Sequence, residues 1–331
     1  MELVRFDPKE DSDRLRAAYE MAVVGWPEDD PNVPVFSLEA FAGNWMGWDG
    51  EPRECWLAYD DAGQPIGSCL LNLPERANQT IAFGAPYIAL DRRRAGLGSE
   101  LLQHCIDRAR QAGRTRLSAH IRDGSPGAAF AAAKGARGGI DAVFRAMDID
   151  ADLPDRLAAL RRDALPHAAG YELLSWEGAT PEEYIDETVR VHAAMADAPR
   201  DEGVEPWTWD AEQIRQLDQT IIAQGLGMYT VAARHTGSGE FAALTQIAVD
   251  PTLPEWALQQ VTAVVPAHRG HRLGLLVKID MLELLAEKRP TTRRILTGNA
   301  GLNAHMIAIN EQLGYYISDV YRSWELDIGQ S

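Results

Sequence analysis

His268-Arg269-Gly270-His271-Arg272-Leu273-Gly274-Leu275-Leu276-Val277-Lys278 lies between the apolar run Val261 to Val265 and an amphipathic segment that reaches Leu285. A strand ending at Val264-Val265-Pro266, a basic turn and an immediate helix start leave backbone N–H groups unpaired beside positive side chains. That arrangement is an anion cradle, and its tight spacing suits a diphosphate better than a carboxylate.

The chain repeats the statement. Arg93-Arg94-Ala95-Gly96-Leu97-Gly98 follows the apolar stretch Tyr87 to Leu90 and opens the helical pattern Leu101, Leu102, Cys105, Ile106, Ala109. Each copy then reaches an apolar strand, a helix and a glycine: Gly135 lies 42 residues beyond Arg93, and Gly314 lies 45 beyond Arg269. Matched motifs at matched spacing predict an internal duplication.

At these residues the chain resembles the GNAT superfamily of acyl-CoA-dependent N-acetyltransferases. The family motif (Gln/Arg)-x-x-Gly-x-(Gly/Ala) is met in full by Arg93, Gly96 and Gly98. The second copy keeps Val264-Val265-Pro266, Arg269 and Gly274 but carries Arg272 for the first glycine. The segment Asn303 to Tyr315 resembles a later family signature, an asparagine followed by a helix ending in Leu-Gly-aromatic. The resemblance implies an α+β fold of two tandem domains, each a mixed, mostly antiparallel central sheet flanked by helices. The expected layout is residues 1–150, a connecting segment 151–170, and residues 171–331.

The 331 residues suffice for two domains with their own cores, and 46% hydrophobic with 24% charged residues is a globular composition. No run of eighteen apolar residues occurs, so neither a membrane span nor a secretion signal is expected, and the location expected is cytoplasmic. Three cysteines, Cys55, Cys69 and Cys105, fit reduced thiols, and their spacing matches no metal site. A formal charge of −17 opposes nucleic acid and is compatible with a cationic amine. Oligomeric state is not legible.

Local patterns fill in the copies. A helix from Asp11 to Val24 is expected to stop at Gly25-Trp26-Pro27, because prolines follow at 27, 31 and 34. Ser37 reads as the N-cap of the next helix, and Asp60 to Gly63 as a hairpin turn. Thr180-Pro181-Glu182-Glu183 has the pattern of a capping box. The acidic, proline-bearing loop Asp197 to Trp207 occupies the place in its copy that Gly25 to Pro34 occupies in the first.

The resemblance further implies an acetyl-CoA donor, with the diphosphate on Arg93, Arg94, Ala95, Gly96, Leu97 and Gly98 or on Arg269, Gly270, His271, Arg272, Leu273 and Gly274. Val264, Asn299 and Asn303 would meet the rest of the donor. Attack by a small-molecule primary amine requires a proton acceptor. Glu205, stiffened by Pro206-Trp207, is the first expectation and Glu255 the second, with Asp197, Asp201, Glu202 and Trp207 toward the acceptor. The family's general-acid tyrosine is replaced by Ala131 in the first copy and Asn310 in the second, which leaves Tyr316, Tyr321 or water. The second copy is expected to catalyse and the first to be non-catalytic. The alternatives are a silent acyl-CoA-binding sensor and acetylation of protein lysines. His268 and His271 lack partners at ligand spacing, so no metal is expected.

Overall fold

The computed structural model describes residues 1–47 and 50–329. The chain forms two compact units that are not contiguous in sequence. The first comprises Met1–Ala142, Asp201–Glu205 and Asp319–Ser331, and the second Val143–Arg200 and Pro206–Ser318. The segment 151–170, expected as a connection, thus lies inside the second unit.

In the first unit β1 (Glu2–Phe6), β2 (Arg53–Tyr59), β3 (Pro65–Asn72) and β4 (Ile81–Ile88) pair antiparallel in that order. β5 (Arg116–Arg122) runs parallel to β4 from Ile81–Arg116 to Phe83–Ser118. On its other edge β5 takes Tyr321 to Asp327 of β12 (Tyr316–Asp327) antiparallel. One apolar cluster gathers Phe6, Leu15, Met21, Phe41 and Trp45 from β1, α1 (Ser12–Asp29) and α2 (Leu38–Met46). Another joins Trp56, Leu71 and Leu117 to Leu101, Cys105 and Ala109 of α3 (Leu97–Gln111). The short α4 (Pro126–Ala133) is capped by Ser125, which accepts from the Ala128 N–H, and β6 (Arg137–Asp148) follows.

α1 does not stop where the prolines suggested. It continues through Pro27 to Asp29, and the Asp30 N–H closes the end on the Trp26 carbonyl at 2.8 Å. A proline in the last turn removes a single intrahelical bond, and Trp26 packs edge-on against Phe36, so tertiary contact outweighs the local penalty.

The second unit repeats the plan. β7 (Tyr171–Glu177), β8 (Gly227–His235), β9 (Phe241–Val249) and β10 (Trp256–Val264) are antiparallel, and β11 (Arg294–Ala300) is parallel to β10 from Trp256–Arg294 to Leu258–Leu296. Every residue of β9 is buried, as its nearly unbroken apolar run requires of a strand covered on both faces. Against it pack α6 (Ile185–Ala193) and α8 (Leu273–Lys288), the latter buried over most of its circumference. α5 (Leu153–Ala164), α7 (Ala211–Ala223) and α9 (Ala304–Leu313) complete the unit. The capping box expected at Thr180 does not form. Its N–H donates to Asp218 at 2.7 Å, and a single 3-10 turn precedes α6. A capping box is present on α7 instead, between Asp210 and Gln213.

Candidate active site

Both cradles have one backbone design. In the first, Arg94 at φ +67° and Gly96 at φ +87° are left-handed; in the second the same two places hold Gly270 at +88° and Arg272 at +54°. Alternating handedness turns consecutive N–H groups outward ahead of α3 and α8. The N–H groups of Arg94 to Leu97 and of Gly270 to Leu273 find no acceptor among the described residues. Arg272 therefore keeps the conformation for which the family uses glycine, and the backbone fits an anion in either unit.

The leading arginines also behave alike. Arg93 Nε donates to the Ile88 carbonyl and its two terminal nitrogens clasp Asp29 at 2.9 and 2.6 Å. Arg269 Nε donates to the Val264 carbonyl, and its Nη2 meets Asp197 at 2.8 Å. Arg93 braces the end of α1, and Arg269 the 3-10 turn after α6, to the end of the strand beside its cradle.

The strands that lead into the cradles differ. β4 pairs with β3 in unbroken register from Phe83 to Ile88, and Pro86 supplies no N–H there. β10 pairs with β9 through a bulge between Gln259 and Thr262. Buried amides hold that bulge: Gln259 Nε2 donates to the Gln246 carbonyl at 2.6 Å and to Thr245 Oγ1 at 3.0 Å. Past Leu258–Leu296, β10 and β11 no longer pair. A groove of about 410 Å³ opens here, walled by Thr262, Val264, Arg269, Gly274, Asn303 and Ile309, with Asp197 at its rim. In the first unit a cavity of about 600 Å³ lies against Arg5, Phe6, Trp45 and Arg53, away from the cradle.

Of the expected site residues, Asp197, Val264, Arg269, Gly270, Arg272, Leu273, Gly274 and Asn303 come together at this groove. Asn303 also caps α9 by accepting from the Met306 N–H. His271 lies in the cradle with its Nδ1 2.9 Å from the His167 carbonyl. His268 stands 2.9 Å from the Tyr171 hydroxyl. Among the described residues no group of three or more His, Cys, Asp or Glu could hold a metal.

The expected base and acid have partners of their own. Glu205 belongs to the first unit, where its carboxylate accepts from the Asn78 N–H at 2.8 Å and its own N–H donates to Asn78 Oδ1 at 2.7 Å. Asp201, in the same unit, accepts from the Ile140 N–H and the Ser323 hydroxyl, and the Glu202 carbonyl accepts from Arg116. These groups fasten a strap; the loop expected as one acceptor lid is divided between the units. Trp207, at 44% exposure, belongs to the second. Glu255 is exposed and precedes β10, a strand's length (~30 Å) from the cradle at its other end. The Tyr316 hydroxyl donates to Asp148, which Arg294 also pairs, and Tyr321 donates to Asp30 in the first unit. Burial and Asp30 together push the Tyr321 phenol up.

Two buried groups of the second unit escaped sequence reading. His192 at the end of α6 faces Gln246 Oε1 at 3.3 Å, which gives Nε2 the hydrogen and leaves the Nδ1 lone pair without a described partner. Burial lowers its pKa to about 4, so the ring is neutral. Lys278 in α8 is 2% exposed; its Nζ donates to Asn310 Oδ1 at 2.8 Å and lies 4.8 Å above the Tyr315 ring. Burial alone lowers its pKa to about 7. The one available signal was a lysine inside Leu275 to Leu285, on a helix otherwise apolar around most of its surface.

The sequence matches the model of the acetyltransferase (GNAT) family over residues 15–134. No match was found among curated proteins. The fold is similar to that of a tandem GNAT protein from the clavulanic acid biosynthesis pathway, with 26% identity, 100% of this chain and 99% of that one covered, and a TM-score of 0.78. It is also similar to a GCN5-related N-acetyltransferase from Sphaerobacter thermophilus (16% identity, 99% and 96% covered, TM-score 0.66). A third likeness is to a GNAT-family acetyltransferase from Colwellia psychrerythraea (13% identity, 98% and 100% covered, TM-score 0.57). Two cradles of one backbone design, each leading into a helix from a diverging pair of parallel strands, agree with these matches: residues 15–134 carry a GNAT acetyltransferase domain, and the whole chain shares its fold with a tandem GNAT protein.

Proposed function

We propose that the second unit transfers an acetyl group from acetyl-CoA to the primary amine of a small molecule, and that the first unit does not catalyse. The observation that carries this reading is the groove. It joins the second cradle to the end of the bulged strand β10, which β11 no longer pairs, and to the Asp197 rim. The first unit has the cradle but an unbulged strand with a proline at position 86. Leu273 and its neighbours present N–H groups to the diphosphate, and Arg272 adds a cation beside it. N–H groups of β10 that point toward the separated β11 are suited to meet the thioester oxygen as it gains charge. The narrow groove holds amine and thioester together, which contributes most when both are ordered before reaction.

Asp197 at the rim and the −17 charge favour an ammonium substrate. With Glu255 a strand's length from the cradle and the Glu205 carboxylate engaged by the Asn78 N–H, the proton of the amine passes to water. The leaving thiolate needs no side-chain acid, since a thiol is acidic enough to leave as its anion near neutral pH. Thiol release from acetyl-CoA across an amine panel tests the assignment. Release that requires both an amine and an intact Arg269 is the expected result; tight uptake of acetyl-CoA with no release on any amine would instead identify a silent sensor.

A further inference from the structure

Lys278, Asn310 and Asn299 form a polar chain inside the second unit. Lys278 Nζ lies 2.8 Å from Asn310 Oδ1, and Asn310 Nδ2 lies 2.8 Å from Asn299 Oδ1. Lys278 and Asn310 are buried, at 2% and 0% exposure, while Asn299 is half-buried. Asn299 sits on β11 three residues beyond Leu296, its last pairing with β10, and α9 brings Ile309 to the groove wall beside Asn310.

The fold does not demand this chain. Counting from the cradles and the strand registers, the first unit holds Leu102, Ala131 and Ile121 in the same three places. A fully buried lysine with no carboxylate partner costs stability, and an apolar residue does the same packing at no such cost. The polar chain is therefore present where the strand is bulged and replaced by hydrocarbon where it is not.

Its chemistry sets a direction. An amino group at this distance donates, so the Asn310 atom that meets it is the carbonyl oxygen. The Asn310 amide nitrogen is then turned to Asn299 and must meet an oxygen there. That leaves the Asn299 amide N–H groups, which have no acceptor among the described residues, as donors beside the separated strands.

We propose that Lys278 is a positioning residue which, acting through Asn310, holds Asn299 as a hydrogen-bond donor to a carbonyl oxygen of the acyl-pantetheine arm. The assignment rests on the second unit being the acyl-CoA site. Asn310→Asp is the sharpest variant, because it keeps the size and the lysine contact. An acceptor-only carboxylate at 310 forces Asn299 to turn its N–H groups toward residue 310.

Calorimetric titration with acetyl-CoA and with adenosine 3′,5′-bisphosphate, which carries the nucleotide end without the pantetheine, separates the possibilities. Thermal midpoints check that each variant is folded. Asn310→Asp, Lys278→Met and Asn299→Ala are each expected to weaken acetyl-CoA about tenfold and to leave the bisphosphate unchanged. The double variant Asn310→Asp with Asn299→Ala should be no weaker than Asn299→Ala alone. Wild-type affinity for acetyl-CoA in folded Asn310→Asp, or additive losses in the double variant, would overturn the assignment while leaving the groove as the donor site. A wild-type protein that takes up neither ligand would overturn both.

Discussion

Arg272 sits at φ +54° in the place where the first cradle and the family motif have glycine, so a substituted residue bears a strain of roughly 1 kcal/mol there. Arg272→Gly is expected to raise stability by about 0.5–1 kcal/mol in denaturant unfolding, while acetyl-CoA binds several-fold more weakly for want of the cation. Lys278 gives a pH signature. Its folded pKa, about 7, lies below the ordinary lysine value of 10.5, so in between the unfolded chain holds a proton that the folded unit does not. The cost is complete below about pH 7 and disappears as pH rises through 10.5, so stability should increase across that window by up to several kcal/mol. His192 adds the same sign between pH 4 and 6.5, because burial keeps it neutral. Urea unfolding at pH 7.5 and 9.5 should show the lysine increment in the wild type and lack it in Lys278→Met. Neither group was legible in sequence: a single lysine or histidine in an apolar pattern reads alike whether its head reaches water or a buried amide.

At the scale of elements, the periodic features were legible and the exceptions were not. The helix cap at Ser37, the hairpin turn at Asp60 to Gly63 and both cradles follow from side chains acting within four residues of themselves. The passage of α1 through Pro27, the failure of Thr180 to cap and the bulge in β10 depend on partners far along the chain: Phe36, Asp218 and the buried Gln259 network. The two cradle helices also differ in room. A methyl group at Gly274 would stand 3.2 Å from Ile309 and 3.3 Å from Val264, both in the groove wall, whereas at Gly98 it would meet Phe130 at an ordinary 3.6 Å. Gly274→Ala should weaken acetyl-CoA at least several-fold, and Gly98→Ala should leave its affinity unchanged, as read by calorimetry.

For the whole molecule, the duplication was readable because spacing survives sequence change, but the exchange of segments was not. Asp319 to Asp327 complete the edge of β5 in the first unit, and Asp201 to Glu205 are strapped there through Asn78, Arg116 and Ser323. Hydrophobic alternation marks a strand without naming its neighbour, and an acidic loop reads alike as a lid or a strap. Removing residues 319–331 should therefore expose the β5 edge and unfold the first unit, seen as loss of amide protection in β3, β4 and β5 by hydrogen exchange. Glu205→Ala should destabilise the same unit by about 1–2 kcal/mol, since it leaves the Asn78 N–H unpaired. The central claim, that the second unit is the acyl-CoA site, is tested most directly by calorimetric titration of acetyl-CoA into the wild type, Gly98→Val and Gly274→Val. One equivalent bound by the wild type, kept in Gly98→Val and lost in Gly274→Val, is the predicted result; loss in Gly98→Val with retention in Gly274→Val would contradict it.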